Sequence, residues 1–310
     1  PRVRRPAGPC GESREVNFGA TRSNPLTSRI AVSNSTRSRR DRCPGVLRPW
    51  LADDGALTRI RIPGGQVSVR ALIGLAEVAQ QYGDGLVRVT GRANLQLRAL
   101  PLVDGALPAD VVAAIETTGL LPSRSHDLVR NILVSPQTGL SGGLADVRPA
   151  ARELDRRLLT DSRLSDLPGR FLFTLDDGRG DLHDRHLDLG LVALDDNLCQ
   201  LRVGGVPSVV LPLADSPTAL TRLARRFLAH RGTGRDAAWH VNELPHPLSG
   251  ATADLTGGVC SPPLPYGRVP GGLHLDAHGG LARDLIAAWA ATDHVVLTPW
   301  HGVLIPKATA

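Results

Sequence analysis

One segment of this chain returns about 207 residues later, and a repeat at that distance restricts the fold to two like modules around a third segment. Arg61-Ile62-Pro63-Gly64-Gly65 reappears as Arg268-Val269-Pro270-Gly271-Gly272. Downstream of each, Val87-Arg88-Val89-Thr90 is paralleled by Val295-Val296-Leu297-Thr298. Two short motifs in the same order and almost the same register point to duplication of one supersecondary unit.

The first copy reads as strand, helix, two strands, helix. Ala56 to Ile62 alternates apolar and polar residues, as a half-buried strand does. Pro63-Gly64-Gly65 breaks it. Val69, Leu72, Ile73, Ala76 and Ala79 then recur at helical spacing behind Ser68, a good N-cap. Leu86–Thr90 and Leu95–Leu100 read as strands joined by Gly91-Arg92-Ala93, and Pro108 opens a second helix with Val111, Val112 and Ile115 on one face. That order predicts a ferredoxin-like α+β unit. In the second copy, Leu281, Leu285, Ala288 and Trp289 suggest a helix with Asp276 as a cap. Val295–Thr298 and Gly302–Ile305 suggest the strands. The fold class is therefore α+β, with duplicated ferredoxin-like half repeats and an intervening α/β domain. The expected division is a disordered basic arm over 1–41, a first half repeat over 42–120 and a central α+β domain over 121–244. A Pro/Gly-rich linker over 245–267 and a second half repeat over 268–310, incomplete before its second helix, complete it.

Charge separates the arm from the rest. Residues 1–42 hold ten arginines against Glu12, Glu15 and Asp41, a balance of +7, whereas the whole chain is +6. Phe18 is the arm's single aromatic residue, so no base-stacking platform accompanies the charge and nucleic acid is not an expected partner. There is one lysine, Lys307, and no methionine; this bias weakens any case for selection of arginine at a given place. No run of eighteen apolar residues and no signal-peptide pattern is present, so the expected setting is cytoplasmic, without a membrane. Cys10, Cys43, Cys199 and Cys260 are far apart, which excludes a CxxC pair or a clustered iron–sulfur motif.

Arginines beside glycines or turns are the first candidates for chemistry: Arg61, Arg92, Arg130 with Asn131, and Arg170. A guanidinium fork binds carboxylates bidentately, and several converging on one cleft suit a ligand with many carboxylates. Solvated surface arginine is the bland alternative. Asp181, His183, His186 and Asp188 fall within eight residues, but alternate parity puts the two imidazoles on different faces. They fit a polar loop better than a metal site. The other histidines show no metal or nucleophile spacing, and the glycine pairs match no phosphate loop.

Arg61-Ile-Pro-Gly-Gly, Val89-Thr90-Gly91-Arg92-Ala93-Asn94-Leu95-Gln96 and Arg130-Asn131-Ile132 resemble the nitrite/sulfite reductase superfamily, which is built from two ferredoxin-like half repeats. Asp41-Arg42-Cys43-Pro44-Gly45, Ser135-Pro136, Ala145-Asp146-Val147-Arg148, Leu167-Pro168-Gly169-Arg170-Phe171 and Leu297-Thr298-Pro299-Trp300 resemble the precorrin-3B synthases of aerobic cobalamin biosynthesis. The resemblance covers residues 42–305. It implies a monooxygenase-type oxidoreductase acting on precorrin-3A, a tetrapyrrole with many carboxylates, by oxygen-dependent hydroxylation and γ-lactone closure. It implies an electron donor, a [4Fe–4S] cluster and a siroheme-like, heme-type tetrapyrrole site. By motif position Arg61, Arg92, Asn94, Gln96, Arg130, Asn131 and Arg170 would bind the substrate; no catalytic residue is identified. Sulfite reductases carry a second basic residue two positions beyond the match to Arg170, and here that residue is Leu172. The family's cluster cysteines lie beyond the second half repeat, so the expectation is a fragment, a truncated product or one part of a split enzyme whose partner chain supplies the cluster. The alternatives are a cluster-free tetrapyrrole-binding module, a non-functional remnant and, less favoured, a sulfite or nitrite reductase.

Overall fold

The computed structural model describes Asp41 and residues 43–307; the arm expected over 1–41 lies, but for Asp41, outside the described residues. The first half repeat contributes β1 (Trp50–Ala52), β2 (Gly55–Ile60), β3 (Gln66–Ser68), α1 (Val69–Tyr82), β4 (Leu86–Val89), β5 (Leu95–Leu100) and α2 (Ala109–Thr117). The central segment follows with β6 (Ile132–Val134), α3 (Arg148–Thr160), β7 (Phe173–Asp176), β8 (Leu189–Ala193), β9 (Leu198–Val203), β10 (Val206–Pro212) and α4 (Ser216–His230). The second half repeat carries β11 (Gly267–Val269), β12 (Gly272–Asp276), β13 (Leu281–Ala282), α5 (Arg283–Ala287), β14 (His294–Thr298) and β15 (Gly302–Pro306). No helix among the described residues is long and apolar enough to cross a membrane.

The two half repeats exchange strands. One sheet has the order β1-β2-β5-β4-β13 and the other β11-β12-β15-β14-β3, so each copy lends the short strand before its helix to the other's sheet. Val67 pairs with Val295, and Leu281 pairs with Val87. The two sheets therefore share one core, in which Leu72, Leu75 and Leu95 of the first copy meet Ile286, Val295 and Val303 of the second. Ser68 caps α1 as its sequence predicts, accepting from Ala71 N at 3.1 Å.

The exchange corrects the sequence alignment of the copies. Arg61-Ile-Pro-Gly-Gly follows β2, but Arg268-Val-Pro-Gly-Gly spans the hairpin between β11 and β12, one strand earlier in the unit. The later match is structural: Ala93 and His301 both turn left-handed, with φ of 52° and 58°. Asn94 N and Gly302 N each donate to a threonine Oγ1, Thr90 and Thr298, at 3.1 Å. The second helix is also shorter than its apolar pattern suggests. Leu281 sits on β13, Ala282 precedes the helix without a side-chain cap, and Asp276 is the last residue of β12.

Gly65 lies where the backbones of the two copies approach closely. Its φ is 71°, and a Cβ there would stand 2.6 Å from the carbonyl oxygen of Leu297. Gly64 has a φ of 72° but would meet nothing nearer than 3.6 Å. Gly64→Ala is expected to cost about 1 kcal/mol through backbone strain, and Gly65→Ala about 3 kcal/mol because the opposing backbone must also shift. Urea midpoints of the two variants measure the difference.

The central sheet has the order β10-β9-β8-β7-β6, parallel through β6, β7 and β8 and antiparallel beyond. One face is apolar, with Phe173, Leu189, Leu191 and Leu201 packed on Leu154 of α3 and on Leu220 and Phe227 of α4. Residues 245–266 run without helix or strand between the central sheet and β11.

Candidate functional site

Five loops meet where the first half repeat touches the central domain. Strand alternation puts Arg59 and Arg61 on the face of β2 opposite Ile60. On that face Arg59 pairs with Gln96, which in turn pairs with Arg88, so Gln96 lies in a row between two arginines. The β4–β5 turn adds Arg92, whose Nη1 donates to the carbonyl of Arg170 at 2.9 Å. Arg170 is exposed and lays its guanidinium 5.8 Å above the Trp239 ring.

Two asparagines fasten these loops together. Ile62 N donates to Asn94 Oδ1 at 2.9 Å, Asn94 Nδ2 donates to Asn131 Oδ1 at 3.1 Å, and Asn131 Nδ2 donates to the carbonyl of Gly169 at 3.0 Å. Both amides are buried and committed. Their part is positioning: they hold the segments that carry Arg61, Arg92 and Arg170. Asp41 adds a further tie, accepting from Gly169 N and Cys43 N. Asp127 accepts from Val46 N and Leu47 N.

Arg88 pairs with Asp84 at 2.6 Å, but Arg59, Arg61, Arg92 and Arg170 form no ion pair among the described residues. Arg61 is 3% exposed; its Nη1 donates to the carbonyls of Pro44 and Arg59, while its Nε and Nη2 have no acceptor among the described residues. Arg59 Nε is also buried without one. Burial first, then repulsion from Arg59, pushes the Arg61 guanidinium down to about 10. Burial likewise lowers Arg59 and Arg92. The neighbouring carboxylates Asp41 and Asp127 are engaged by backbone amides instead. A buried guanidinium with unmatched donors is costly unless an anion completes it.

Arg130 stands apart from this cluster. It has a φ of 72° and forms a bidentate ion pair with Asp155 of α3, at 2.6 and 2.9 Å. It is thus neutralised within the fold, contrary to the part expected of it from motif position. Leu172 is buried in the core shared by the half repeats. The arginines come from the first half repeat and the central domain, and none comes from the second half repeat. Trp300 occupies in the second hairpin the place of Arg92 in the first.

Sequence reading missed Arg59, although its parity with Arg61 in an alternating strand was a usable signal. Asp155 gave none, because its partner Arg130 is distant in sequence. Cys43 lies among these charges; burial and Asp41 raise its thiol.

Asp181, His183, His186 and Asp188 do not converge. Asp181 accepts from Ser135 Oγ at 2.7 Å, Asp188 accepts from Leu172 N and Val241 N, and both histidines are exposed. Burial pushes Asp181 up to about 7 and Asp188 up to about 6. A raised carboxyl binds its proton in the fold at a pH where the unfolded chain has released it. Its stabilisation is full below about pH 4 and is lost as pH rises through 6 to 7. Asp181→Asn keeps the acceptor for Ser135. It is expected to flatten that fall and to raise stability at pH 8 by about 2 kcal/mol, measured by urea unfolding across pH 5–8.

Among the described residues, no three His, Cys, Asp or Glu side chains are grouped to hold a metal ion. Cys199 is buried in the central core and Cys43 lies at the arginines. The described thiols therefore do not fit a [4Fe–4S] cluster. The arginine set offers guanidinium donors suited to carboxylates or other anions.

Residues 52–104 match the family described as the nitrite/sulfite reductase ferredoxin-like half domain. The chain is similar to a precorrin-3B synthase of Sinorhizobium sp, 32% identical over 135 residues, which are 43% of this chain and 28% of that protein. It is also similar to a ferredoxin–nitrite reductase of Leptolyngbya laminosa, 34% identical over 148 residues, 46% of this chain and 28% of that protein. The matched stretches thus span less than a third of these relatives' own length. The solved structure of Mycobacterium tuberculosis NirA superposes with a TM-score of 0.61 at 18% identity, covering 86% of this chain and 60% of that one. That likeness shows the fold. Residues 52–104 are thus similar to a nitrite/sulfite reductase ferredoxin-like half domain, and the relatives that the chain resembles include a precorrin-3B synthase and a nitrite reductase.

Proposed function

We propose that this chain is the substrate-holding part of a precorrin-3B synthase-type oxidoreductase, and that its arginine cluster grips the carboxylates of a tetrapyrrole such as precorrin-3A. The observation that carries this reading is the Arg59–Arg61 pair: Arg61 is buried, Arg59 is half-buried, and both hold buried donors with no acceptor among the described residues. Arg92 and Arg170 extend the positive surface outward, so that carboxylates arriving at different points of a broad ligand each find a fork.

A compact oxyanion fits less well. Nitrite or sulfite needs several cations converging on one point, and here Arg130 is bound to Asp155 while Leu172 is apolar and buried. A macrocycle with dispersed carboxylates suits separated arginines better. The residues described bind and orient, and Asn94 and Asn131 set the loops. The family's reaction, oxygen-dependent hydroxylation with lactone closure, would also require an electron donor as partner. No redox step is assigned to the described residues, since they do not fit the cluster.

Titration of uroporphyrin, a stable octacarboxylate macrocycle, into the chain tests the reading through its visible absorption. Binding that weakens steeply with salt, and about tenfold more in Arg92→Ala, is expected. Equal affinity in Arg92→Ala and wild type would reject it. Tight binding of nitrite or sulfite instead would favour the reductase alternative.

A further inference from the structure

A second recess lies on the polar face of the central sheet, away from the basic cluster, and encloses about 300 Å³. Its floor is Thr174 of β7 and Val192 of β8, and its roof is Leu255 and Val259 of the coil that precedes β11. Arg185 and Arg202 close two sides. The roof is fixed to the sheet by side chains. Gln200 Nε2 donates to the carbonyl of Ala253 at 2.7 Å, and Leu255 N donates back to Gln200 Oε1 at 3.0 Å. Arg202 Nη2 donates to Asp254 Oδ2 and Thr256 Oγ1 at 2.8 and 3.1 Å.

The chemistry of the walls is mixed in a particular way. Leucines and valines give an apolar body, while the guanidinium of Arg202 stands at the edge, its Nη1 donating one N–H to the carbonyl of Gly205 at 3.2 Å and keeping a second. Its ion-pair partner Asp254 is 40% exposed, and Asp184, beside Arg185, is 77% exposed, so solvent screens both carboxylates. Asp176, which also lines the recess, spends its oxygens on the backbone N–H groups of Gly178, Gly180 and Leu182. The volume is at the low end of small-molecule sites, too small for a macrocycle.

We propose that this recess binds a small organic monocarboxylate with a short apolar tail, its carboxylate on Arg202 and its tail against Val192, Leu255 and Val259. Arg185 Nη1 reaches the carbonyl of Gly91 at 3.4 Å, so an occupant lies one residue's reach from the turn that carries Arg92. The site nevertheless uses none of the arginines of the basic cluster and stands independently of the function assigned to it.

Calorimetric titration of the full chain with hexanoate and with hexanamide, its neutral isostere, tests this. Hexanoate is expected to bind with a dissociation constant of about 1 mM, typical of so few heavy atoms, and the amide at least about tenfold more weakly because the charge-assisted bond is lost. Arg202→Gln should remove the preference for the acid. That change could also loosen the roof, so Val259→Trp provides a second arm: Val259 is half exposed, and indole there fills the recess without disturbing the core. It should abolish hexanoate binding while circular dichroism stays unchanged. Arg92→Ala should leave hexanoate binding intact, which separates this result from that of the macrocycle titration. Equal binding of acid and amide, undiminished binding in Val259→Trp, or no heat at 20-fold above the expected constant would each overturn the proposal.

Discussion

Arg61→Met is expected to make the empty fold more stable and to weaken a polycarboxylate ligand about a hundredfold. The two effects have opposite signs because they have one cause. Arg61 is buried, two of its donors have no acceptor, and Arg59 repels it. An apolar side chain of similar length removes an unmatched buried charge, worth roughly 1–3 kcal/mol of stability. The carbonyls of Pro44 and Arg59 lose a donor in exchange, which trims the gain. On the ligand side, a desolvated guanidinium–carboxylate pair contributes about 3 kcal/mol, hence the hundredfold loss. Urea unfolding and ligand titration on the same sample check both. A surface arginine serving only solubility would change neither, and a structural arginine would lower stability.

Asn94→Ala should cost about 2–4 kcal/mol and weaken the same ligand, although Asn94 is not assigned to touch it. The substitution strips Ile62 N of its acceptor and Asn131 Oδ1 of its donor, both in the interior. Each buried group left unmatched costs about 1–2 kcal/mol. The loops that aim Arg61, Arg92 and Arg170 are tied through this pair, so the arginines lose their fixed spacing. Asn94→Gln does not rescue the spacing, because the longer amide cannot meet both partners. The measurement is again stability and affinity together. A loss of stability with unchanged affinity would remove Asn94 from the support of the site.

The sequence exposed the strand and helix periods of the first half repeat well, because its elements are long and amphipathic. The Ser68 cap and the Leu95–Leu100 strand stand where the pattern puts them. It misaligned the second copy because Pro-Gly-Gly serves a hairpin in one repeat and a strand end in the other, and turn chemistry reads alike in both. The exchanged strands, three and two residues long, are too short to show a period. Within the site, Arg61, Arg92 and Arg170 were visible as arginines beside turns. The pairing of Arg130 with Asp155 was not, since it depends on how α3 packs beneath β6. Asn94 and Asn131 stood out by motif, but only the packed loops show that they fasten the site.

The central claim is that separated, acceptor-poor arginines hold a ligand by its many carboxylates. Affinities of porphyrins that share one ring and carry two, four or eight carboxylates test it most directly, measured at fixed low salt. Affinity should climb with each step in carboxylate number, and the climb should shrink in Arg61→Met. Affinity that is level across the series, or that tracks ring hydrophobicity instead, would contradict it.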